Sequence, residues 1–541
     1  MHSLRARPLC RAHNRFNPSI ALWEHFIRPH SPNFHHHRLS STAAHPAQHD
    51  LDTGGATAAE VAATAPEANG PPQSQAQAGG LAEGPATELG PKLRKMTTVK
   101  GNFVAEKKDA TIARNKKIKK ARIEAMRIAS DELLAKARAA FENSQEYEGV
   151  VVEPMLSYES CDAASLPWCL KEQAREVPPM DVLNEEIDRF YAYAKPNEFE
   201  QTARQHVIQQ VRALVRKALK KCDVEVFGSE RNGIPFATSD IDLRLLWPSQ
   251  VSRPSMARLP PTKRERGKGM AQLGWLYNGS LKHNRDYLLT SLRHARYPLV
   301  AAQDRQSGLD VQIVLSNDTS VSRDYMQRYM QEIPYLRSLY YVVKTIFDIR
   351  GLSDVFRGGF GSYSIFMMLV ASLKHAPHQR QDAAGGLLNF LKFYSDFDAK
   401  AHGISIEPVE LFDKVQHPVI TNPVKISFKN GTAKPLPSYM LCLRDPADET
   451  NDLGRKGIAI KHVQTTFNAL YTQLVMDLKT NTRASLLASL VGPVYMLNIE
   501  RRKKLQDYGW RLQNSKHASL AATAKAIREE EKRSKRGKKK R

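Results

Sequence analysis

The sequence predicts an α+β chain in which a small mixed α/β region sits between two helical stretches, and three observations predict it. Val224-Glu225-Val226-Phe227, Ile241-Asp242-Leu243-Arg244-Leu245-Leu246 and Leu309-Asp310-Val311-Gln312-Ile313-Val314 alternate with the two-residue period of a strand. Upstream, Val182, Leu183, Ile187, Phe190 and Tyr191 recur at helical spacing until Pro196 stops them. Downstream of Asp324 the spacing is helical to about residue 500, with one short strand expected at 440–443.

The chain has 541 residues, and 80 Lys and Arg against 56 Asp and Glu leave a formal charge of +24. Such an excess favours polyanionic partners, nucleic acid above all, and is silent on fold. No apolar run approaches the ~20 residues of a membrane span, so integral membrane association is not expected. The cysteines, Cys10, Cys161, Cys169, Cys222 and Cys442, never form a Cys-x-x-Cys pair, which leaves a zinc knuckle or a disulfide framework unsupported.

In chain order, residues 1–44 carry Arg5, Arg7, Arg11, Arg15, Arg28 and Arg38 with one acid, Glu24, and read as a mitochondrial presequence. Residues 45–100 lack large apolar side chains, cannot offset chain entropy, and read as a disordered linker. Residues 101–149 read as a basic charged helix, and the folded part is expected to start between 150 and 178. Asn197-x-x-Glu200 has the form of a capping box opening a second helix, with Val207, Val211, Leu214, Val215 and Leu219 on one face. The helical regions are thus 180–221 and 326–500, and the α/β region is 222–325. A basic insertion at 247–278, with Arg258, Lys263, Arg264, Arg266 and Lys268, interrupts the strands as an RNA contact or a loop. Residues 501–541 read as a basic tail, eight of its last ten residues being Lys or Arg. The N-terminus points to mitochondria, and the tail to the nucleus or nucleolus as the alternative.

The chemistry concentrates in Phe227-Gly228-Ser229-Glu230-Arg231 and Thr238-Ser239-Asp240-Ile241-Asp242-Leu243. Residues two apart on a strand share a face, so Asp240 and Asp242 present two hard oxygen ligands that suit Mg²⁺ bridging phosphates. A Gly-Ser turn brings free N–H groups and a hydroxyl close to a phosphate. Asp310 stands among apolar neighbours on a later strand, where a carboxylate needs solvent or a cation. Placed beside Asp240 and Asp242, it completes a three-carboxylate, two-metal site.

Gly-Ser, a short spacer, Asp-x-Asp and a distant third Asp resemble the DNA polymerase beta-like nucleotidyltransferase superfamily. Further blocks follow in order: Leu339-Tyr340-Tyr341-Val342-Val343-Lys344, Arg350-Gly351-Leu352, Gly358-Gly359-Phe360-Gly361-Ser362-Tyr363-Ser364, Leu388-Asn389-Phe390-Leu391-Lys392-Phe393-Tyr394, and Leu443-Arg444-Asp445-Pro446 through Asn451-Asp452-Leu453-Gly454-Arg455. With them the region from about 182 to 478 resembles the template-independent RNA nucleotidyltransferases with a poly(A)-polymerase-associated domain, which include poly(A) polymerases and terminal uridylyltransferases. The resemblance implies a nucleotidyltransferase palm at 222–325, an all-helical associated domain from the two helical regions, and a nucleotide between them. It implies Asp240, Asp242 and Asp310 as catalytic and metal-binding residues for Mg²⁺ or Mn²⁺, and Gly228 and Ser229 on the β/γ-phosphates. Lys344 and Ser362 would contact the triphosphate, Tyr363 would stack on the base, and Asp445, Asn451, Asp452 and Arg455 would form the base-recognition loop.

The activity so implied is polynucleotide adenylyltransfer, in which ATP is the substrate and an RNA 3′ end receives AMP, with helicase or nuclease partners in RNA turnover. In uridylyl-transferring relatives a His stands where Asn451 falls, which favours ATP here. Two departures are visible. Asp348 stands where many relatives have a second basic residue four positions after the lysine, and an Asn near the ribose is replaced in the Val321-Ser322 region. The alternatives are a terminal uridylyltransferase or other RNA 3′-end adding enzyme, a small-molecule nucleotidyltransferase and, from another class, a non-catalytic RNA-binding adaptor.

Overall fold

The computed structural model describes residues 131–154, 162–170, 177–247, 263–294, 298–315, 318–420, 422–431 and 435–538. The expected presequence and linker lie outside the described residues. Helix α1 (Asp131–Glu142) is the first element among the described residues, and the chain after it is already docked. The Val150 N–H donates to His462 Nδ1 (3.0 Å), and the Val152 N–H to Thr466 Oγ1 (2.9 Å). The Tyr147 hydroxyl donates to the Ile458 carbonyl (2.6 Å) and Leu134 and Ala137 are buried, so the packed structure begins before residue 150, where the sequence places only an exposed helix.

Helix α2 (Pro179–Ala194) takes a proline in its first turn, where a missing N–H costs nothing, and stops before Pro196. Helix α3 (Glu198–Ala218) opens on the expected capping box: Asn197 Oδ1 accepts from the Glu200 N–H (2.9 Å), and the Asn197 N–H donates to Glu200 Oε2 (2.8 Å). Val207, Val211, Val215 and Leu219 are buried, as their spacing predicts.

Strand β1 (Asp223–Val226), the one-turn helix α4 (Gly228–Asn232) and strand β2 (Ile241–Leu246) follow. Helix α5 (Lys263–Leu276) fills the second half of the basic insertion, and residues 248–262 of that insertion lie outside the described residues. Strands β3 (Tyr287–Arg293), β4 (Leu299–Asp304) and β5 (Asp310–Val314) complete a five-stranded mixed sheet of order β1-β2-β5-β4-β3. Only β2 and β5 run parallel. The sequence reading finds β1, β2 and β5 and misses β3 and β4. All six residues of β4 are buried, so it carries no two-residue alternation for a pattern to detect.

One face of the sheet packs on α3: Ile241, Leu243, Val311 and Ile313 share a core with Val207, Ile208, Val211 and Val215. Side chains alternate across a strand, so Asp242 and Gln312 stand on the other face.

Helices α6 (Ser320–Glu332), α7 (Leu336–Ile349), α8 (Ser362–His375) and α9 (Ala383–Asp396) build the helical region. Helices α7 and α8 are buried on nearly every side, as expected of elements in the middle of a bundle. Two hairpins interrupt it, β6 (His402–Ser405) with β7 (Glu410–Asp413) and β8 (Arg444–Asp445) with β9 (Asp448–Asp452). The strand expected at 440–443 reduces to one isolated bridge, Ile404 with Leu443. Helix α10 (Ile460–Thr480) packs on α9, and helix α11 (Pro493–Lys538) runs through 501, where the sequence suggests that a tail begins. Its first turns lie along α3: Arg502 forms a buried ion pair with Glu200 (2.7 Å), and the Tyr508 hydroxyl bonds His206 Nδ1 (2.8 Å). A Cβ at Gly509 would lie 1.9 Å from the Phe199 carbonyl oxygen, so only glycine admits this approach. Among the described residues no helix is long and apolar enough to cross a membrane.

Candidate active site

The carboxylate face begins at the turn after β1. Gly228 has φ +65°, which favours glycine, and a Cβ there would lie 2.5 Å from Asp242 Oδ2. Conformation and space thus both require glycine, and the Gly228-Ser229 turn is pressed against the Asp242 carboxylate. The Phe227 N–H donates to the Asp242 carbonyl (3.0 Å), which fixes the turn to β2.

In the parallel register Ile241 pairs with Val311 and Asp242 with Gln312, so Asp240 and Asp310 enter the two strands side by side. Gln312 Nε2 donates to Asp240 Oδ2 (2.9 Å). Asp310 is buried, and its Oδ2 lies 3.9 Å from Arg501 Nη2 on α11. Burial pushes the Asp242 carboxyl well above the ordinary carboxylate range, and the Asp240 charge adds to that. Arg204 offsets that rise only in part, and two hard-oxygen donors that disfavour each other's charge fit a divalent cation. Among the described residues, however, no three His, Cys, Asp or Glu side chains converge as a ready metal cage.

What sequence reading missed is the scaffold behind these groups. Arg204 of α3 is fully buried and pairs with Glu230 through Nε (2.9 Å) and Nη2 (2.7 Å). It also donates to the carbonyls of Ala237 (3.1 Å) and Ser239 (2.9 Å). One guanidinium therefore ties the Gly-Ser helix to the loop that delivers Asp240. The available signal was a charged residue placed between Ala203 and Val207 on an otherwise apolar face. Arg501 gave no signal, because it lies within what reads as tail.

The helical side supplies a second cluster. Tyr341 of α7 donates from its hydroxyl to the Pro235 carbonyl (2.8 Å) and packs on Phe236, so the bundle supports the same Asp240 loop. Lys344, expected on the triphosphate, is 4% exposed and paired with Asp348, which also accepts from the Ser353 hydroxyl. Ser362 is the first residue of α8, a helix start where N–H groups favour an anion. Tyr363 donates to Asp445 Oδ1 (2.8 Å), Asn451 Nδ2 donates to Asp445 Oδ2 (2.8 Å), and Ser322 bonds the Tyr363 hydroxyl. Burial raises the Asp445 carboxyl, and the Ala447 N–H, Asn451 and Tyr363 pull it back only in part. Asn451 Oδ1 is buried without a hydrogen-bond partner among the described residues.

The remaining expected base-loop residues act differently. Asp452 Oδ1 accepts from the N–H groups of Leu443 (3.0 Å) and Gly454 (2.8 Å), so it shapes the loop. Burial lifts its pKa to about 6. Arg455 is half-buried, and burial lowers its pKa. The loop is locked to the start of α8 by the Ala459 N–H on the Gly358 carbonyl (3.0 Å) and the Ser364 hydroxyl on the Leu453 carbonyl (3.0 Å). A Cβ at Gly358 would lie 1.9 Å from Ile458 Cγ1.

A mixed sheet with paired Asp on one strand, a third Asp on its parallel neighbour and a Gly-Ser turn against them defines a nucleotidyltransferase palm, here joined to a helical domain. Residues 183–331 match the central palm domain of mitochondrial-like poly(A) RNA polymerase, and residues 386–451 match the Cid1 family poly A polymerase domain. Both matched regions of the chain are thus those of poly(A) RNA polymerases, a palm followed by the associated domain. It is 27% identical over 356 residues to the poly(A) RNA polymerase CID14 of Cryptococcus neoformans, covering 63% of this chain and 43% of that one. To poly(A) RNA polymerase protein 2 of Saccharomyces cerevisiae it is 25% identical, over 63% of this chain and 56% of that one. An inactive poly(A) RNA polymerase protein of Drosophila melanogaster, Trf4-2, is 24% identical over 66% of this chain and 84% of its own. The chain thus spans about half the length of the first two relatives. A solved structure of the polymerase core of TRAMP, an RNA surveillance complex, superposes with a TM-score of 0.49 at 21% identity, over 60% of this chain and 96% of that one.

Proposed function

We propose that this chain transfers AMP from ATP to RNA 3′ ends. The observation that carries the reading is the register that sets Asp240, Asp242 and Asp310 on adjacent strands against the Gly228-Ser229 turn. The RNA 3′ oxygen forms a bond to the α-phosphorus, the bond to the bridging oxygen of pyrophosphate breaks, and the hydroxyl proton departs, assisted by Asp310. Asp240, Asp242 and Asp310 would hold Mg²⁺ or Mn²⁺, which when bound supplies charge neutralisation and lowers the 3′-hydroxyl pKa. The Gly228-Ser229 turn positions the β/γ-phosphates for in-line displacement. Tyr363 offers a ring face to the base. Asn451 Oδ1 supports adenine, whose exocyclic amine donates where uracil presents an acceptor.

A non-catalytic adaptor is the second reading, favoured by the Lys344–Asp348 pair, which occupies a cation wanted by the triphosphate. We further propose mitochondrial residence from residues 1–44, with the nucleus or nucleolus as the alternative, and helicase or nuclease partners in RNA turnover. Full-length protein incubated with a labelled RNA oligonucleotide, Mg²⁺ and each NTP separately tests the reaction. Extension with ATP supports it, and extension with UTP moves the chain to the uridylyl branch. RNA binding without extension would leave the adaptor.

A further inference from the structure

The basic insertion becomes an ordered helix whose outer face no part of the proposed chemistry uses. Helix α5 buries Gly269, Leu273 and Leu276 against the palm, in the core shared with Ile241 and Val311. A Cβ at Gly269 would meet Leu315 and Trp247 at 2.4 Å, which fixes that face of the helix to the sheet. At helical spacing the opposite face carries Arg264, Lys268, Ala271 and Trp275, all exposed. Trp275 is 75% exposed, more than any other tryptophan among the described residues. The helix continues into a π-helical turn, Tyr277–Leu281, after which exposed Lys282 follows. Arg264, Lys268 and Lys282 form no ion pair among the described residues. Glu265 is the only acid in α5.

Two glycines reinforce the pattern. Gly267 and Gly274 fall side by side along one edge of this stripe, with nothing within 4 Å of where a Cβ would stand. Each is a poorer helix former than alanine, with no packing in return. Their use is an unobstructed backbone beside Trp275.

We infer that this stripe binds single-stranded RNA, with Arg264, Lys268 and Lys282 on phosphates and Trp275 stacked on a base. The inference rests on the RNA reading above and assigns it a surface. Cations spaced along a helix around one exposed indole match a chain that alternates phosphate with aromatic base. A purely acidic protein partner would explain the cations and leave the tryptophan unused. The stripe lies on the side of the sheet away from Asp242 and Gln312. An RNA whose 3′ end is at the carboxylates therefore reaches it only with upstream nucleotides, and the contact depends on RNA length.

The test measures binding of fluorescent single-stranded RNAs, one short and one several times longer, to the full chain at several salt concentrations. Trp275→Ala is expected to weaken binding of the longer RNA by about fivefold or more. Arg264→Ala with Lys268→Ala should flatten its log–log salt slope by about 1.4, at 0.7 per phosphate contact. Both variants should bind and extend the short RNA as wild type does, and circular dichroism should match because these side chains are exposed. Unchanged affinity and slope for the longer RNA would overturn the stripe alone and leave it to a protein partner. Failure of the wild-type chain to bind either RNA would overturn the stripe and the polymerase reading together.

Discussion

The palm and the helical region hold their functional groups in opposite states. On the palm, Asp240 and Asp242 share a strand face, and the Asp242 carboxyl is raised by burial and by its neighbour, with Arg204 offsetting only part of the rise. In the helical region most of the corresponding groups are satisfied internally: Lys344 by Asp348, Tyr363 and the Asn451 amide nitrogen by Asp445, and Asp452 by two backbone N–H groups, while Asn451 Oδ1 has no partner among the described residues. A buried carboxylate pair whose members disfavour each other's charge gains from a cation, whereas a hydrogen-bond network that is nearly closed gains little until it is opened. On the proposed reading the first region takes the cation and the second selects the base.

Breaking the palm should have the largest effect. Asp242→Asn should lower nucleotide transfer by at least ~10³-fold, with the circular dichroism spectrum unchanged. Retained transfer would mean that the carboxylate pair has no chemical use.

Arg204→Met tests whether the palm is held by one guanidinium. Glu230 would be left nearly buried and unpaired, at a cost of about 3–5 kcal/mol in denaturant unfolding. Adding Glu230→Gln should recover much of that loss, and failure to recover would show that the backbone carbonyls matter more than the ion pair.

On the helical side, the Asp452 pKa of about 6 lies above the ordinary 3.8, so folding favours the protonated form. Its contribution to stability is full below about pH 4 and is lost as pH rises through about 6. Asp452→Asn keeps an oxygen for both N–H donors and should flatten that stretch of the stability–pH curve. At about pH 8 it should exceed wild type by up to ~3 kcal/mol. An identical curve would mean that Asp452 does not titrate there. The smallest effect is expected from Asp348→Asn, which frees Lys344 from a full charge and should lower the KM for ATP about fivefold. An unchanged KM would separate Lys344 from the triphosphate.

How much of this was legible follows from how local each constraint is. Asp240, Asp242 and Asp310 sit where strand alternation places them, and the Asn197 capping box closes within three residues of its start. The role of Arg204 depends on Glu230 and on carbonyls about 35 residues downstream. Arg501 reaches Asp310 from a helix that reads as tail because its charges hide the buried face it makes with α3. Strand β4 was invisible because burial on both faces erases alternation. Lys344 and Asp348 both stand out in the sequence. Their spacing of four on a helix is the pairing distance, so the ion pair was available to be read.

The most direct test of the central claim is single-turnover AMP incorporation into an RNA 3′ end by Asp310→Ala beside wild type, at saturating ATP. Removing a buried carboxylate at the head of β5 should abolish incorporation while RNA binding, read separately, stays at the wild-type level. Incorporation by Asp310→Ala at the wild-type rate would contradict the three-carboxylate site.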